Sequence, residues 1–395
     1  MRILVAAHNY PRFRGDPAGT YVRRLALGYQ ARGHQVAVVA PHVRGTAERE
    51  TEAGVEIERF RYGPELFERV GYRGEARASQ LLLGPTALAL PAYVFAFRRA
   101  IRRQVARFNP DVIHAHWWLP AGWLASKCGR PLVITSHGSD VRLLERGALL
   151  VRMARGVARK TAHWTAASRF LATDLQQRLG LPERSVEVTP MPVDLDLFEQ
   201  GRAMARANPP RLLYAGNLLP SKGVDVLIAA VGLLRDRGIA CELRILGAGP
   251  AREQLLADIS ARGLTSVVTI TPFVPQSQMP AEYGAATVTV LPTRGRAEGL
   301  GLTLVEALLA GSAVVGTPAG GIPEVVEDGV TGLLAPDGDA SALADRLARL
   351  LQDEPLRLRL TAQGFDRVRR THSLDATVDR FLSLFNAAVD HQARN

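Results

Sequence analysis

An α/β protein built from two successive parallel-sheet domains is the architecture that three observations predict. Short β-rich runs alternate with amphipathic stretches, several of the runs are apolar throughout, and the same alternation starts afresh after residue 208. A strand that is apolar at every position has both faces covered, as inside a parallel sheet flanked by helices. Length agrees, because 395 residues exceed what one hydrophobic core usually serves. The composition, 47% hydrophobic and 22% charged with a mean hydropathy of +0.01, fits a folded globular chain and excludes a disordered or multi-span membrane protein.

In chain order, the first strand set is Ile3 to Ala7, Gln35 to Ala40, Val112 to Ala115, Leu132 to Thr135 and Val186 to Thr189. The second is Leu212 to Ala215, Glu242 to Leu246, Val267 to Ile270, Val288 to Leu291 and Ala313 to Gly316. Between the first two of these, Val224, Leu227, Ile228, Val231 and Leu234 recur on one helical face, and Gly238 is placed as the stop. Two β-α-β arrays of this kind predict two Rossmann-like domains facing each other across a cleft, with ligands outside the carboxyl ends of the strands. The expected division is a first domain over 1–190, a Pro-rich linker over 191–210, a second domain over 211–374, and a terminal helix over 375–395 packing back on the first domain.

The longest apolar stretch, Leu81 to Phe97, is interrupted by Gly84, Pro85 and Pro91 and is followed by Arg98, Arg99, Arg102 and Arg103. It is just short of the usual spanning length and is expected to be a mostly buried helix, with peripheral membrane contact as the alternative. The chain opens directly on a strand-like run without the layout of a cleavable signal peptide. Its two cysteines, Cys128 and Cys241, are far apart, so neither a disulfide framework nor a cysteine zinc site is expected, and a reducing, cytoplasmic setting is.

The formal charge is +11, and its distribution is uneven: residues 1–200 carry 29 basic and 18 acidic side chains, residues 201–395 carry 20 of each. An anionic partner on the first-domain side is implied, such as a phosphorylated ligand or the inner face of a membrane. A nucleic-acid partner is not expected, for want of interleaved aromatics or a zinc or RNA-recognition motif.

Chemistry-bearing residues gather at predicted strand ends. In RAEGLGLTLVE, Glu298 and Glu306 bracket Gly299-Leu300-Gly301-Leu302 ahead of an apolar helix. Glycine amides at a helix start, with the helix dipole behind them, suit a phosphate or diphosphate. Thr303 and Glu306 also satisfy a T-x-x-E capping box, which leaves Glu306 open between a cap and a ligand contact. Lys222 lies in AGNLLPSKG, in a chain with only three lysines among its 49 basic residues, so an ammonium at a strand-to-helix turn is notable. In the first half, a glycine loop from Gly15 to Thr20 follows the first strand, and His137 and Asp140 in SHGSD follow the run ending at Thr135. His114 and His116, in DVIHAHWW, share one side of a strand and have no third ligand spaced to complete a zinc site. Asp194-Leu195-Asp196 is a D-x-D read as linker structure, and no metal is expected there.

Taken together, RILVAAHNYP, the loop ending at Gly19, DVIHAH, SHGSD, VTPMPVDLDLF, YAGNLLPSKG, LGAGPAREQL, EGLGLTLVEALLAGSAVVGT and GGIPEVVEDGVTGLL resemble, in order and spacing, the family 4 glycosyltransferases. These are retaining enzymes with the two-Rossmann GT-B fold, and the resemblance covers nearly the whole chain. It implies a nucleotide-diphosphate sugar as donor, UDP-linked or GDP-linked, a hydroxyl acceptor, and no cofactor or metal. By the same resemblance Lys222 binds the donor diphosphate and the amides of Gly299 to Leu302 cradle its distal phosphate. Glu306 holds the ribose, Glu298 lies by the donor sugar, and Phe273-Val274 wall the base. His137 contacts the transferred sugar, Gly19 lets its loop approach the diphosphate, and His116 and Asp140 are acceptor-side candidates. Two departures are plain. Asn217 follows Gly216 where the family has arginine, and Pro190-Met191-Pro192-Val193-Asp194 replaces P-N-G-V-D. A nucleotide-sugar epimerase of the same fold and a non-catalytic sugar-nucleotide binder are the alternatives.

Overall fold

The computed structural model describes residues 1–13, 16, 18–64, 68 and 89–394, which divide into two compact units. Gly15 and Pro17 of the glycine loop, and Leu81 to Leu88 of the apolar stretch, lie outside the described residues. The first unit comprises Met1–Pro192 with Leu374–Asn395, and the second Val193–Ser373.

The first unit contains β1 (Arg2–Ala6), β2 (Gln35–Pro41), β3 (Arg49–Glu52), β4 (Val55–Phe60), β5 (Val112–His116), β6 (Leu132–Ser136), β7 (His163–Ala166) and β8 (Val186–Val188). They form one sheet in the order β3-β4-β2-β1-β5-β6-β7-β8, parallel except for β3, which pairs antiparallel with β4 at the edge. Ile3, Val5 and Val38 bury on one face against the helices Thr20–Ala31 and Leu374–Arg394, and Leu4, Val39 and Ile134 on the other. That second face is covered by Leu90–Phe108, Trp123–Ala125 and Ala148–Ala158, through Phe97, Leu124 and Val157.

Three strands escape the sequence pattern for separable reasons. β3 is a polar edge strand, RETE, with no buried face to leave a signature. β4 buries Glu58 and Arg59 in a polar cluster: Gln104 and Arg103 donate to Glu58, and Arg59 Nη2 donates to the Pro11 carbonyl at 2.9 Å and to Glu50 at 2.6 Å. β7 is HWTA, a short strand in which His163 and Thr165 alternate with the apolar residues and break the apolar run.

The second unit contains β9 (Arg211–Ala215), β10 (Glu242–Leu246), β11 (Val268–Thr271), β12 (Val288–Leu291), β13 (Ala313–Gly316) and β14 (Leu333–Leu334) in the order β11-β10-β9-β12-β13-β14, all parallel. This is the 3-2-1-4-5-6 order of the doubly wound sheet. The helix Val224–Asp236 buries the predicted face and closes with a Schellman turn: Ile239 N donates to Leu234 O, Gly238 N to Arg235 O, and Gly238 takes φ +73°.

Of the stretch read as a linker, 191–210, residues 193–210 belong to this unit and Met191 and Pro192 to the first. Asp194 accepts from Leu197 N at 3.1 Å and caps the helix Leu195–Glu199, and Phe198 is fully buried in the core. Pro91 sits in the first turn of Leu90–Phe108, where a missing N–H costs nothing, so it starts that helix and does not interrupt it. Among the described residues, no helix is long and apolar enough to cross a membrane.

Candidate functional site

Each sheet has a switch point where strand order reverses, which is where open α/β sheets bind ligands. In the second unit it lies between β9 and β12, and the segments leaving those strands are knitted together. Arg294 N donates to Ser221 O at 2.8 Å, and Gly223, at φ +67°, lies so close that an added Cβ would meet Pro292 O at 2.0 Å. Lys222 lies between Ser221 and Gly223. Its ammonium donates to Glu298 Oε2 at 2.8 Å and to the Ala297 carbonyl at 3.1 Å, with both side chains largely shielded. An ammonium has three donors, so one remains for a further acceptor.

Beyond Glu298 the chain runs through Gly299 and Leu300 to Gly301, which takes φ +92° and starts the helix Leu302–Leu309. The N–H groups of Leu302 and Thr303, in the first turn, lack intrahelical acceptors by construction. The loop 298–300 is held from behind by Gly320-Gly321: Gly321 N donates to Glu298 O at 3.1 Å, and a Cβ on Gly320 would fall 1.9 Å from that carbonyl. The sequence showed these glycines within a motif; their task, close backbone approach, is visible only in the structure.

The capping box is not formed. The helix begins at Leu302, so Thr303 lies inside its first turn with Oγ1 donating to Ala215 O at 3.3 Å, and no side chain caps the terminus. Glu306 instead accepts from Tyr283 Oη at 2.9 Å. Burial, then the negative charge of Glu306, keeps that phenol well above its usual range and hence a donor. Tyr214, raised by burial and by Glu298, likewise stays protonated and donates to Asn217 O at 2.8 Å. Asn217 is exposed in the β9 loop. The arginine nearest this loop in the hydrogen-bond network is Arg294, which donates to Pro220 O at 3.1 Å and pairs with Asp225 at 2.7 Å. Phe273 and Val274 follow β11, and the Phe273 ring is 55% exposed.

In the first unit the switch point lies between β1 and β5, and three histidines stand at adjacent strand ends: His8 after β1, His116 closing β5 and His137 after β6. His116 Nδ1 and His137 Nε2 are 3.1 Å apart, and His137 Nδ1 is 3.2 Å from Met191 Sδ. A thioether accepts only, so His137 carries its proton on Nδ1 and accepts at Nε2 from His116 Nδ1–H. His116 Nε2 is then a bare lone pair, buried and without a partner among the described residues. Burial holds every ring neutral: it lowers His8 to about 4 and His116 to about 3, and it pushes His137 and His114 well below the usual histidine range.

Asp140 lies beneath this loop. Its Oδ1 accepts from His137 N at 3.0 Å and Gly138 N at 3.1 Å, and Oδ2 from Trp118 N at 3.2 Å. Its carboxylate is therefore spent on shaping the loop that presents His137. Burial raises its pKa, and these hydrogen bonds offset part of the rise. Gly19, at φ +69°, starts the helix Thr20–Ala31 against the Asn9 backbone, where a Cβ would meet Asn9 O at 2.6 Å. Sequence reasoning missed Tyr21 and Trp117, whose rings lie 4.7 and 4.6 Å from that of His137, and Met191, 54 residues away in sequence. Trp117 takes φ +68°, an uncommon conformation at a ligand-facing strand end, which no sequence pattern announces.

Two Rossmann-like sheets, each with a switch point and one with a lysine beside a glycine-led helix start, define a two-unit α/β protein suited to binding a phosphorylated ligand. Residues 18–197 match the family model described as Glycosyltransferase Family 4, and residues 199–367 the one described as Glycosyl transferases group 1. The D-inositol 3-phosphate glycosyltransferase of Thermobispora bispora is 32% identical over 335 residues, covering 77% of this chain and 78% of that protein. The GDP-mannose-dependent alpha-(1-6)-phosphatidylinositol monomannoside mannosyltransferase of Mycolicibacterium smegmatis is 29% identical, covering 89% of each. Among solved structures, sucrose-phosphate synthase from Thermosynechococcus elongatus superposes with a TM-score of 0.78 at 21% identity over 98% of both chains. Anabaena HepE in complex with UDP and glucose does so with a TM-score of 0.72 at 20% identity, over 98% of this chain and 99% of that one. The fold is GT-B. The chain belongs to glycosyltransferase family 4.

Proposed function

We propose that this glycosyltransferase moves a hexosyl unit, with retention and without a metal, from a UDP-sugar or GDP-mannose to a hydroxyl of an anionic acceptor. The observation that carries the reading is Lys222, held 2.8 Å from Glu298 beside the glycine-led start of Leu302–Leu309 with one N–H to spare. Cleavage of the sugar–phosphate bond leaves charge on the diphosphate, and preorganised donors stabilise it in a low-dielectric site. Lys222 and the amides of Leu302 and Thr303 are those donors. The acceptor oxygen forms its bond to the anomeric carbon from the leaving-group side, the bond to the diphosphate breaks, and a phosphate oxygen takes the hydroxyl proton. Glu298 holds Lys222 and borders the sugar, and Glu306 and Phe273 take the ribose and base.

Metal independence is supported by the fate of the D-x-D, whose Asp194 is committed to capping a helix. On the acceptor side, His137 is partly exposed and is fixed by the buried His116 and by Met191. An anionic acceptor fits the basic excess of residues 1–200. It is also the chemistry in the relatives' names, inositol 3-phosphate and phosphatidylinositol monomannoside. The test is transfer from UDP-glucose and GDP-mannose to inositol phosphate in excess EDTA, followed by the one-bond carbon–proton coupling at the anomeric centre of the product. An α-linked product from one donor is expected. An inverted product, or dependence on added divalent ion, refutes that part of the proposal, and no transfer with any sugar nucleotide refutes the whole.

A further inference from the structure

The basic excess is densest in one stretch of the first unit. Residues 90–162 hold 13 Lys and Arg against three acids, Asp111, Asp140 and Glu145. None of the three acids serves the surface of that stretch: Asp111 binds Arg2, Asp140 is buried, and Glu145 pairs with Arg178. The helices Leu90–Phe108, Trp123–Ala125 and Ala148–Ala158 pack as neighbours over the same sheet face. Helix Leu90–Phe108 turns Tyr93, Phe97, Ala100, Ile101 and Gln104 inward. Its opposite side carries Phe95, 68% exposed, followed at helical spacing by Arg98, Arg99 and Arg102. Helix Ala148–Ala158 repeats the layout: Leu149, 71% exposed, leads to Arg152, and Arg159 and Lys160 follow.

Several other arginines of this unit are neutralised. Arg103 pairs with Glu58, Arg107 with Glu56, Arg23 with Glu52 and Arg178 with Asp174. Arg98, Arg99, Arg102 and Lys127 are exposed and have no acidic partner among the described residues. Lys127 spans the gap between the helices, its ammonium 3.8 Å from the Trp123 ring centroid. Its pKa is lowered by burial and then by the like charges of Arg98, Lys160 and Arg102, so these cations are close enough to repel one another. Between them is a mainly apolar groove of about 440 Å³, with Leu90, Val94, Phe95 and Trp123 along it and Arg98 and Lys127 at its rim.

We infer that the outer faces of these three helices form a docking surface for an anionic bilayer, with Phe95 and Leu149 entering the headgroup layer and the cations binding acidic lipid. Charge complementarity singles out this occupant. An unopposed cation cluster is held together at a cost that an anionic surface repays, and the exposed Phe and Leu beside it match the two-signal logic of peripheral anchoring. A nucleic-acid partner would use the cations and leave the aliphatic Leu149 and the apolar groove without a role. The inference does not depend on the identity of donor or acceptor, since none of these residues lies at either switch point.

The test is co-sedimentation of the full chain with phosphatidylcholine vesicles containing about 30% phosphatidylglycerol, with pure phosphatidylcholine vesicles as the neutral reference. Binding only to the anionic vesicles, reversed by about 0.5 M NaCl, is expected. At roughly fivefold per cation, Arg98→Ala with Arg102→Ala and Lys127→Ala should weaken it on the order of 100-fold. Arg98→Lys with Arg102→Lys should keep it, and Phe95→Ser should weaken it without changing the salt dependence. All these positions are exposed, and an unchanged tryptophan-monitored melting curve certifies the fold of each variant. Three results overturn the proposal: no binding of the parent to anionic vesicles, a triple variant that binds like the parent, or tighter retention of a DNA duplex than of vesicles through the same side chains.

Discussion

Acidification should destabilise the first unit more than the second, where His372 alone is held low by burial, and the histidine cluster sets how much. His114 and His116 are fully buried and His8 and His137 half-buried, all four with pKa values depressed by burial from the ordinary 6.5, His8 to about 4 and His116 to about 3. The folded state therefore binds fewer protons than the unfolded chain. Their contribution is fully present above about pH 6.5 and is lost as pH falls toward the folded values. Between pH ~7.5 and ~5.5 each unfolded histidine gains close to one proton that its folded counterpart refuses, worth about 1.3 kcal/mol. Four of them remove about 5 kcal/mol, a large share of the usual 5–15 kcal/mol. For a unit of this size that corresponds to a midpoint lower by about 10–20 °C.

Tryptophan fluorescence reads this unit alone, because all four tryptophans, Trp117, Trp118, Trp123 and Trp164, lie within Met1–Pro192. Melting curves at the two pH values should show the shift. His8→Asn should remove about a quarter of the pH slope. A tryptophan-detected midpoint that moves by less than about 2 °C would falsify the claim that these rings are held neutral.

Three further outcomes concern the second unit. Lys222→Ala should lower turnover by about 10²–10³, as for other losses of a transition-state anion donor, and a rate within a factor of about three of the parent removes Lys222 from the mechanism. Gly320→Ala must accommodate a Cβ 1.9 Å from Glu298 O at φ +55°. It should cost at least about 2 kcal/mol, seen as a melting temperature lower by about 4–8 °C, together with weakened nucleotide binding in a thermal-shift titration; an unaltered melting temperature contradicts the packing argument. Tyr283→Phe deletes the 2.9 Å donor to Glu306 and should cost about 1–2 kcal/mol in urea unfolding, whereas a neutral result would mean that water replaces the phenol.

The sheets were legible because inner strands of a covered parallel sheet are apolar at nearly every position, as in β1, β2, β12 and β13. β3 and β4 were not, since an exposed edge and a strand with a buried, hydrogen-bonded Glu58 obey no hydropathy period. On the donor side, spacing alone placed Lys222 and Glu298 each beside a strand end, and the fold supplies their 2.8 Å contact. Glu306 shows the limit of local reasoning. Thr303 and Glu306 read as a capping box, yet Gly301 ends the preceding loop in a left-handed turn and shifts the helix start so that Tyr283 becomes the partner. The acceptor side was least legible. Asp140 turned inward to bind three amides, and Met191 reached His137 across 54 residues, contacts set by tertiary packing that no short pattern encodes.

The helix Leu374–Arg394 seals one face of the first unit: Val378, Phe381, Leu384 and Phe385 are buried against the partners of β1, and Gly28 leaves room for Val378, whose Cγ2 a Cβ there would meet at 2.5 Å. During synthesis the ribosome therefore delivers the first unit in two instalments, separated by the whole of Val193–Ser373. Until residues 374–394 emerge, Tyr29, Val378's neighbours on Thr20–Ala31 and the underside of β1 stand as exposed apolar surface. The second unit can close while the first waits, so order of synthesis and order of folding are inverted. A stop codon just before Leu374 would consequently damage the half of the molecule already made, and it is the nascent first unit that chaperones would be called on to shield.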